Sequence, residues 1–476
     1  NDGGSTITAL TLDMSDAGAA TFNSTINGVG ISSNITNFSE SMLISNDAGT
    51  GTLSSATNNT GFGFEVFDDL TSGVSNTAFG RKALTVNTTG GSNTAIGMNA
   101  LIANTTASNN TAVGKQALTS NTTGANNTAV GMKSLEANTT ASNNVAVGYL
   151  SLDANTTGTE NVAIGKSALT ENTTADANTA VGFNALALNT TGASNVAIGK
   201  DALDSNTTAS NNVAIGVDSL QANTTGASNV AVGRGTLQTN TTASNNTAVG
   251  DEALFANTTG AQNVAVGHSS LQQNTEGQYN TAIGDFALYS NTTADNNTAV
   301  GKDALLLNTT GFSTVAIGAN ALDANTTGNT NVAIGNSALT AATVSDRQVG
   351  IGVEALKNYN NTSAGDHYNV AIGYAAGRDT VDGLYNVFLG GLAGYDGDNG
   401  DNNVFVGYAA GQNNAASNNV GIGYQALDAN TTGGANTAVG AFSLSAITTG
   451  DSCSALGYNA LQNATGVGNT AMGRDA

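Results

Sequence analysis

Apolar and small residues recur along this chain in a fixed phase. A short alternating phrase of the form Asn-Thr/Val-Ala-Val/Ile-Gly closes on a glycine at every seventeenth position from Gly63 to Gly352. After Gly352 the spacing varies, and the closing glycines are Gly373, Gly390, Gly407, Gly423, Gly440, Gly457 and Gly473. We name the closing glycines of both stretches the coil glycines. Because self-similarity at a short fixed period is typical of repeat architectures, each repeat is predicted to be one coil of a solenoid.

The phrase itself predicts a short β-strand. In the coil of Gly199, Val196 and Ile198 alternate with Ala197, so the two larger side chains share one face and alanine takes the other. The position before the glycine is β-branched in most coils, which favours a stacked interior position. The alanine position of the regular coils admits only Ala or Gly, which predicts that the backbone of another chain approaches this face.

Two further ladders follow in each coil. A leucine stands four residues after the glycine in 20 of the 25 coils, which predicts a second interior ladder. Asn-Thr-Thr follows, as at Asn87 to Thr89, and is expected to form a solvated turn whose asparagines can bond one another from coil to coil. This reading is preferred over N-glycosylation of the sequon. The close spacing of the coil glycines leaves no room for long helices, so an all-β parallel β-solenoid is predicted.

Composition narrows the function. The net charge of −22 arises from 34 acidic and 12 basic residues, so there is no basic stripe for a nucleic acid. No apolar run approaches the roughly 18 residues that span a bilayer, so no membrane insertion is expected. The single cysteine, Cys453, takes a place that asparagine fills in most coils, and we expect it to be a buried, inert thiol.

The thin interior predicts self-association. Each coil offers about two large apolar side chains, whereas ordering one residue costs about 1.5 kcal/mol. Several copies packing side by side would supply the missing apolar contacts. We therefore infer a parallel homotrimer whose Ala/Gly face turns towards the partner chains, although the number three does not follow from the residues.

The period also divides the chain. Two stretches near the start, Ile7–Met14 and Ala19–Phe22, alternate like strands but do not repeat. The predicted segments are a strand-rich lead-in at 1–57, a regular solenoid at 58–352, variant Tyr/Asp-rich coils with an insertion at 353–418, and a regular solenoid at 419–476.

The run Asn-Thr-Ala-Val-Gly-x-x-Ala-Leu-x-x-Asn-Thr-Thr-Gly resembles the repeats of bacteriophage tail fibre proteins. Its Asn-Val-Ala-Ile-Gly core is similar to the head repeats of trimeric autotransporter adhesins, which form a left-handed parallel β-roll trimer. The resemblance covers residues 58–476 and implies a homotrimeric virion fibre that binds a host surface receptor, a glycan or a protein. It also implies that the lead-in joins other virion or appendage proteins. Adhesin head repeats are usually a few residues shorter, so the coil shape can differ.

The first break in the period marks the candidate functional band. The step from Gly352 to Gly373 contains a four-residue insertion, and seven of the 11 tyrosines lie between Tyr359 and Tyr424. Two readings remain open: a variant coil in which larger residues replace the lost leucine, or a receptor-contact surface, because tyrosine and asparagine suit polar recognition and aromatic rings stack on sugars. The candidate receptor-binding residues are Tyr359, Asp366, His367, Tyr368, Tyr385 and Tyr395.

Metal and catalytic candidates are weak. Asp396, Asp398 and Asp401 suggest a calcium loop, but the spacing of a helix–loop–helix calcium site is absent and a solvated acidic turn is preferred. Asp379 and Asp382 could serve a glycosidase in principle. The two histidines, His268 and His367, lie far apart in the chain. We therefore expect no enzyme and no cofactor.

Two alternative functions stay open. A bacterial surface adhesin of the same architecture would place the protein outside the cell rather than on a virion. An ice-binding solenoid is the second alternative. It ranks below the adhesin because the adjacent threonines of Asn-Thr-Thr point to opposite sides if the segment is extended.

Overall fold

The computed structural model describes residues 25–26, 29–35, 37–45, 52–363, 365–398 and 400–476. The chain divides into two compact units, Asn1–Asn195 and Val196–Ala476. Across these described ranges every helix or strand assigned is a β-strand. The predicted all-β parallel solenoid is therefore confirmed. The strands expected at Ile7–Met14 and Ala19–Phe22 lie outside the described residues.

The described part of the first unit comprises an antiparallel lead-in followed by a solenoid. Strand β2 pairs antiparallel with β1 and β3, and β3 then pairs in parallel with β4, which places Leu43 opposite Gly61. The lead-in strand β3 therefore covers the open edge of the first coil. The strands are β1 Thr25–Ile26, β2 Val29–Ile35, β3 Phe38–Ser45, β4 Thr60–Phe62, β5 Thr77–Phe79, β6 Thr94–Ile96, β7 Thr111–Val113, β8 Thr128–Val130, β9 Val145–Val147, β10 Val162–Ile164 and β11 Thr179–Val181.

The second unit repeats the same coil and adds a small second sheet at the insertion, where β21 pairs in parallel with β23. Its strands are β12 Val196–Ile198, β13 Val213–Ile215, β14 Val230–Val232, β15 Thr247–Val249, β16 Val264–Val266, β17 Thr281–Ile283, β18 Thr298–Val300, β19 Val315–Ile317, β20 Val332–Ile334, β21 Ser345–Asp346, β22 Val349–Ile351, β23 Gly365–Asp366, β24 Val370–Ile372, β25 Val387–Leu389, β26 Val404–Val406, β27 Val420–Ile422, β28 Thr437–Val439, β29 Ser454–Leu456 and β30 Thr470–Met472.

The repeat period equals the separation in sequence between residues that pair across neighbouring strands. Strands β6 and β7 pair in parallel with Ala95 opposite Ala112, so equivalent residues of consecutive coils stack. The amide of Gly114 donates to the carbonyl of Ile96 at 2.7 Å, which extends the ladder one residue beyond the strand. Equivalent side chains of consecutive coils therefore form continuous columns within each unit. Each surface of the solenoid consists of such columns.

The coil glycines are required by both backbone conformation and space. Gly199 has a φ of 142°, a conformation that side-chain-bearing residues rarely adopt. A Cβ atom at Gly199 would lie 2.3 Å from the carbonyl oxygen of Gly216 in the next coil. The chain leaves the strand at this glycine with its backbone against the next coil, and any larger residue would separate the two.

The orientation predicted for the strand residues is wrong. Ala197 is fully buried, whereas Val196 is half-buried and Ile198 is 38 % exposed. The alanine face therefore lines the interior of the same chain and does not meet a partner, while the β-branched residues point outwards. The physical reason is the narrow coil. The leucine four residues after the coil glycine is also fully buried, as at Leu203, and fills the interior space that a β-branched strand residue would need.

The alanine–leucine packing is visible where glycine replaces alanine. A Cβ atom at Gly350 would lie 3.2 Å from Cγ of Leu339, the leucine of the preceding coil. At Gly61 the nearest atom is Cδ1 of Leu43 in the lead-in strand β3, at 2.8 Å. A small residue at the strand centre is therefore needed because a leucine occupies the opposite side of the same interior.

The asparagines form two buried amide ladders, so the solvated turn predicted for Asn-Thr-Thr is wrong for its asparagine but holds for its second threonine, which is exposed as at Thr123. Nδ2 of Asn121 donates to Oδ1 of Asn104 at 3.1 Å and to the carbonyl of Gly124 at 3.0 Å. In the ladder that precedes each strand, the amide of Asn127 donates to Oδ1 of Asn110 at 2.9 Å. All four asparagine positions are fully buried. The predicted coil-to-coil hydrogen bonds are therefore present, and the sequon asparagines are inaccessible to a modifying enzyme in the folded chain.

Cys453 takes one position in the ladder that precedes the strands. Its amide donates to Oδ1 of Asn436 at 2.9 Å, and Sγ donates to the carbonyl of Gly466 at 3.2 Å. The thiol is free and fully buried. The prediction of a buried thiol is confirmed.

In the variant coils the large and small residues exchange sides. Phe388 and Phe405 occupy the alanine position and are fully buried. Gly394 and Gly411 occupy the leucine position, where a Cβ atom would lie 2.7 Å from the ring of Phe388 and 2.5 Å from that of Phe405. The phenylalanine rings therefore fill the interior volume that leucine fills elsewhere, as the variant-coil reading predicted.

Candidate functional site

The insertion between Gly352 and Gly373 has a buried aromatic centre. Tyr359 stands where most coils have the asparagine of Asn-Thr-Thr, and it is fully buried. The ring of His367, which is buried as well, meets Tyr359 edge-on with centroids 5.9 Å apart. Burial raises the pKa of Tyr359 and lowers the pKa of His367. These two predicted contact residues are therefore core residues, and neither side chain can reach a receptor from the folded coil.

Directly beside this core lies an exposed cluster, which we name the tyrosine cluster: Arg347, Asp366, Tyr368 and Tyr385. Oη of Tyr368 donates to Oδ2 of Asp366 at 3.1 Å. The rings of Tyr368 and Tyr385 stack with centroids 6.1 Å apart and planes 21° from parallel. The guanidinium of Arg347 forms an ion pair with Asp366 and lies 5.6 Å from the ring centroid of Tyr368. Three of the six candidate receptor residues therefore meet at one surface.

The coil geometry explains why these side chains meet. Arg347, Tyr368 and Tyr385 each stand five residues before a coil glycine, and each has a φ between 50° and 59°. In most other coils the same left-handed position carries small polar residues such as Ser194 and Asn211. The amide of Tyr385 donates to the carbonyl of His367 at 2.9 Å, which places the exposed column against the buried centre. Tyr368 and Tyr385 remain 48 % and 49 % exposed.

Tyr395 does not belong to the tyrosine cluster. It stands five residues after a coil glycine, a different position in the coil, and it is half-buried. The guanidinium of Arg378 covers its ring at 3.9 Å from the centroid and bonds its hydroxyl. The hydrogen bond from the same guanidinium lowers the pKa of Asp379. Nearness in sequence therefore suggested a group of three tyrosines that the structure divides into a pair and a single residue.

Two aspartates of the acidic turn, Asp398 and Asp401, form hydrogen bonds to the neighbouring coil. Oδ1 of Asp398 accepts the amide of Val381 at 3.0 Å, and Oδ1 of Asp401 accepts the amide of Leu384 at 2.8 Å. The negative charge of Asp398 raises the pKa of Asp382. Among the residues that the structure describes, no three His, Cys, Asp or Glu side chains are placed to hold a metal ion. The calcium candidate at Asp396, Asp398 and Asp401 therefore has no ligand set in the described chain.

One arrangement looks like a hydrolytic triad but lacks its geometry. His268 Nδ1 lies 2.9 Å from Oδ1 of Asp285, and Oγ of Ser269 lies 3.4 Å from Nε2. This second distance exceeds the hydrogen-bond reach expected between nucleophile and base. Ser269 is also only 2 % exposed, so its hydroxyl is closed to a substrate.

A second aromatic column was missed at the sequence level. The rings of Tyr408 and Tyr424 stack at 5.7 Å, Phe442 follows edge-on at 5.2 Å, and Tyr458 follows at 6.0 Å. The three tyrosines are exposed, and each directly follows a coil glycine. Counting from the coil glycines, rather than grouping tyrosines by distance along the chain, would have placed the three tyrosines in one column, but not Phe442, which stands two residues after its coil glycine.

The outward face of the strands is a second candidate surface, although the sequence pattern predicted that its β-branched residues lie in the interior. In every three-residue strand from β4 to β30, the first and third residues carry no charge, although the chain has a net charge of −22. Most third residues are Val or Ile, and the exposed rings of Phe62 and Phe79 stack at 5.0 Å in the first unit. We name this surface the strand face. Exposed apolar surface of this regularity is typical of an interaction site.

Comparisons with known proteins add no relative. No protein-family model matches the chain, and the search of curated proteins finds no match either. In the described part of the chain, no helix has the length and apolar character needed to cross a membrane.

Proposed function

We propose that this protein is a structural attachment fibre, carried on a virion in the manner of the phage tail fibres that its repeat resembles, and that it binds a glycan on a host surface. The observation that carries this proposal is the tyrosine cluster. Two stacked and half-exposed tyrosines stand beside an Arg–Asp ion pair at the point where the repeat period breaks.

The chemistry of the tyrosine cluster suits a sugar. The exposed ring surface of Tyr368 and Tyr385 offers apolar area to the C–H groups of a pyranose ring, and the phenolic hydroxyls supply hydrogen bonds. Asp366 adds carboxylate acceptors, and Arg347 adds donors in a planar fork. Because Asp366 already accepts from Tyr368 and pairs with Arg347, these side chains are held in place before a ligand arrives, which lowers the entropy lost on binding.

The strand face supports self-association. An uncharged face of Val, Ile and Thr on a chain with excess negative charge can approach a second copy without like-charge repulsion. Burying the β-branched residues would contribute about 25 cal/mol per Å² of apolar surface. We propose the homotrimer that the resemblance implies, now with the strand face, rather than the alanine face, turned towards the partner chains.

Self-association is tested by its mass in solution. Light scattering of the wild-type chain should give three times the mass of one copy. Ile198→Glu places a charge on the strand face and should yield monomers that keep the β-sheet circular dichroism signal. Lys200→Glu, a change at an exposed position two residues away, should leave the trimer intact. A monomeric wild type, or an Ile198→Glu variant that still forms trimers, would contradict the assigned interface.

Attachment is tested on an array of bacterial surface polysaccharides. Tyr368→Ala combined with Tyr385→Ala should abolish the binding of the fluorescently labelled protein to the glycans that the wild type recognises. Tyr279→Ala is the matched control, because Tyr279 is exposed and occupies the same coil position five residues before Gly284. Retained binding by the double variant would overturn the assignment of the tyrosine cluster as the receptor site.

One observation favours ice binding as a second candidate. The first strand residue points outwards, so Thr94, Thr111 and Thr128 form a regular column with a β-branched column beside it. The threonines of Asn-Thr-Thr, on which the sequence argument rested, are not on this face. Valines such as Val145 and Val162 interrupt the column of hydroxyl groups. The strand face therefore suits self-association better than ice binding. Thermal hysteresis that Thr111→Glu abolishes would establish the alternative.

A further inference from the structure

A groove lies on the second unit between the coils of Gly284 and Gly301, outside the tyrosine cluster and the strand face. It is shallow and open to solvent, has a volume of about 340 Å³, and is lined by Phe286, Tyr289, Ser290, Asp303, Leu306 and Leu307. In the preceding coil, the positions that correspond to Phe286, Tyr289 and Ser290 carry Ser269, Gln272 and Gln273. The apolar lining is therefore a local departure from polar side chains on the same columns.

The aromatic wall of the groove is held by contacts of its own. The ring of Phe286 lies 5.5 Å from that of Tyr289 at an angle of 69°, and 5.0 Å from the ring of His268 at 85°. His268 is held in turn by Asp285 at 2.9 Å. Edge-to-face contacts of this kind fix ring orientation, so the wall is formed before a ligand arrives.

Negative charge adjoins this wall. Asp303 lines the groove, and the backbone of Asp323 in the following coil accepts the amide of Leu307 at 3.0 Å. Oδ1 of Asp323 is buried and receives no hydrogen bond. Burial raises the pKa of Asp323, and the negative charge of Asp303 adds to that effect. Lys302 pairs with Asp303, with its Nζ 3.2 Å from Oδ2, in an exposed pair of the kind that contributes little.

We propose that this groove binds an organic ammonium ion, which is a positive charge carried on an apolar body. Aromatic faces attract such cations through their quadrupole, and recognition of quaternary ammonium groups is a common use of that attraction. The leucine side chains suit the methyl groups of the ligand but not a strongly hydrated inorganic cation. The carboxylate of Asp303, which lines the groove, supplies the countercharge, and the net charge of −22 raises the local concentration of cations.

The test compares two probes of one shape. Choline carries a quaternary ammonium, and 3,3-dimethylbutan-1-ol replaces its nitrogen with carbon. Titrations of the full chain followed by NMR should show saturable choline binding, with the neutral probe about tenfold weaker or worse. Tyr289→Ala and Asp303→Asn should each weaken choline binding by about tenfold. Lys302→Met should strengthen it, because the competing ammonium is gone.

Two control variants separate a site from general attraction to an acidic protein. Asp204→Asn removes a half-buried carboxylate from another coil of the second unit, and Tyr149→Ala removes an exposed tyrosine of the first unit. Both should bind choline like the wild type. Equal affinity for the two probes, no choline binding by the folded wild type, or equal losses in Asp204→Asn would each overturn the proposal. Circular dichroism of every variant verifies that the fold is kept.

Discussion

Phe388 stacks on Phe405 in the interior of neighbouring coils, with ring centroids 5.8 Å apart and planes 12° from parallel. Both rings come from the strand position that alanine occupies in regular coils, and glycine stands opposite them in place of leucine. Successive coils therefore keep the same interior volume, although the residues at the two interior positions differ. This relationship makes the variant coils a natural experiment in core packing.

Exchanging the two positions should restore a regular coil. Phe405→Ala alone leaves a cavity and should lower the free energy of unfolding by about 3–5 kcal/mol. Gly411→Leu alone should also destabilise, since a Cβ atom there lies 2.5 Å from the ring of Phe405. The double variant rebuilds the alanine–leucine pair and should recover most of the loss in urea unfolding. A double variant no more stable than Phe405→Ala would contradict the exchange, while Phe62→Ala at an exposed ring serves as the control.

The coil glycines should tolerate no side chain. Gly199→Ala places a Cβ atom 2.3 Å from the carbonyl of Gly216 at a φ of 142°, and should cost on the order of 3 kcal/mol or more of unfolding free energy. Gly235→Asn is the matched control, because Gly235 has a φ of 61° and the nearest atom to its added Cβ lies at 3.5 Å. Asn99 and Asn184 hold the same coil position. Similar losses in both variants would show that steric contact between coils is not the cause.

The buried amide ladder should depend on continuity. Asn121→Leu removes the acceptor of Asn138, which donates to Oδ1 of Asn121 at 2.8 Å, and the donor to Asn104. Leaving buried polar groups unpaired should lower the unfolding free energy by about 1–3 kcal/mol. Thr123→Ala, at an exposed position of the same turn, should change it by less than about 0.5 kcal/mol. An Asn121→Leu variant as stable as the wild type would mean that apolar packing can replace the ladder.

The insertion should weaken in acid. Burial lowers the pKa of His367 below its ordinary value of 6.5, so between that value and the folded pKa the unfolded chain binds a proton that the folded chain does not. The contribution of neutral His367 to the free energy of unfolding is therefore fully present above pH 6.5, and it is lost as the pH falls towards the pKa of His367 in the folded chain. Asp346 faces His367 and opposes this effect.

The pH dependence of His367 can be isolated by comparing variants. Asp153, whose pKa burial raises to about 6, stabilises the fold as the pH falls from 6, so the total curve mixes opposite signs. The difference between the wild type and His367→Phe removes this background. Urea unfolding from pH 7 to pH 5 should show a smaller loss of stability in His367→Phe than in the wild type. Parallel curves for the wild type and His367→Phe would refute the assignment.

Several details of the candidate site were within reach of the sequence. Tyr359 stands seven residues after Gly352, where other coils have a ladder asparagine, so counting from the coil glycine would have assigned it to the interior. The same counting places Tyr368 and Tyr385 in one column and Tyr395 in another. Counting back from Gly373 places His367 six residues before a coil glycine, where Val74 of a regular coil is exposed, so the count alone would have predicted the wrong burial for His367.

The sequence by itself determined the coil, its repeat period, the strand in each phrase and the need for glycine at its end, because these depend on backbone conformation and on contacts between equivalent residues of adjacent coils. Only the tertiary structure decided which side of the strand is inside. Alternation defines two faces but does not choose between them. The choice depends on whether Ala197 or Ile198 fits in a coil interior already occupied by Leu203, and that volume is set across the coil rather than along the strand.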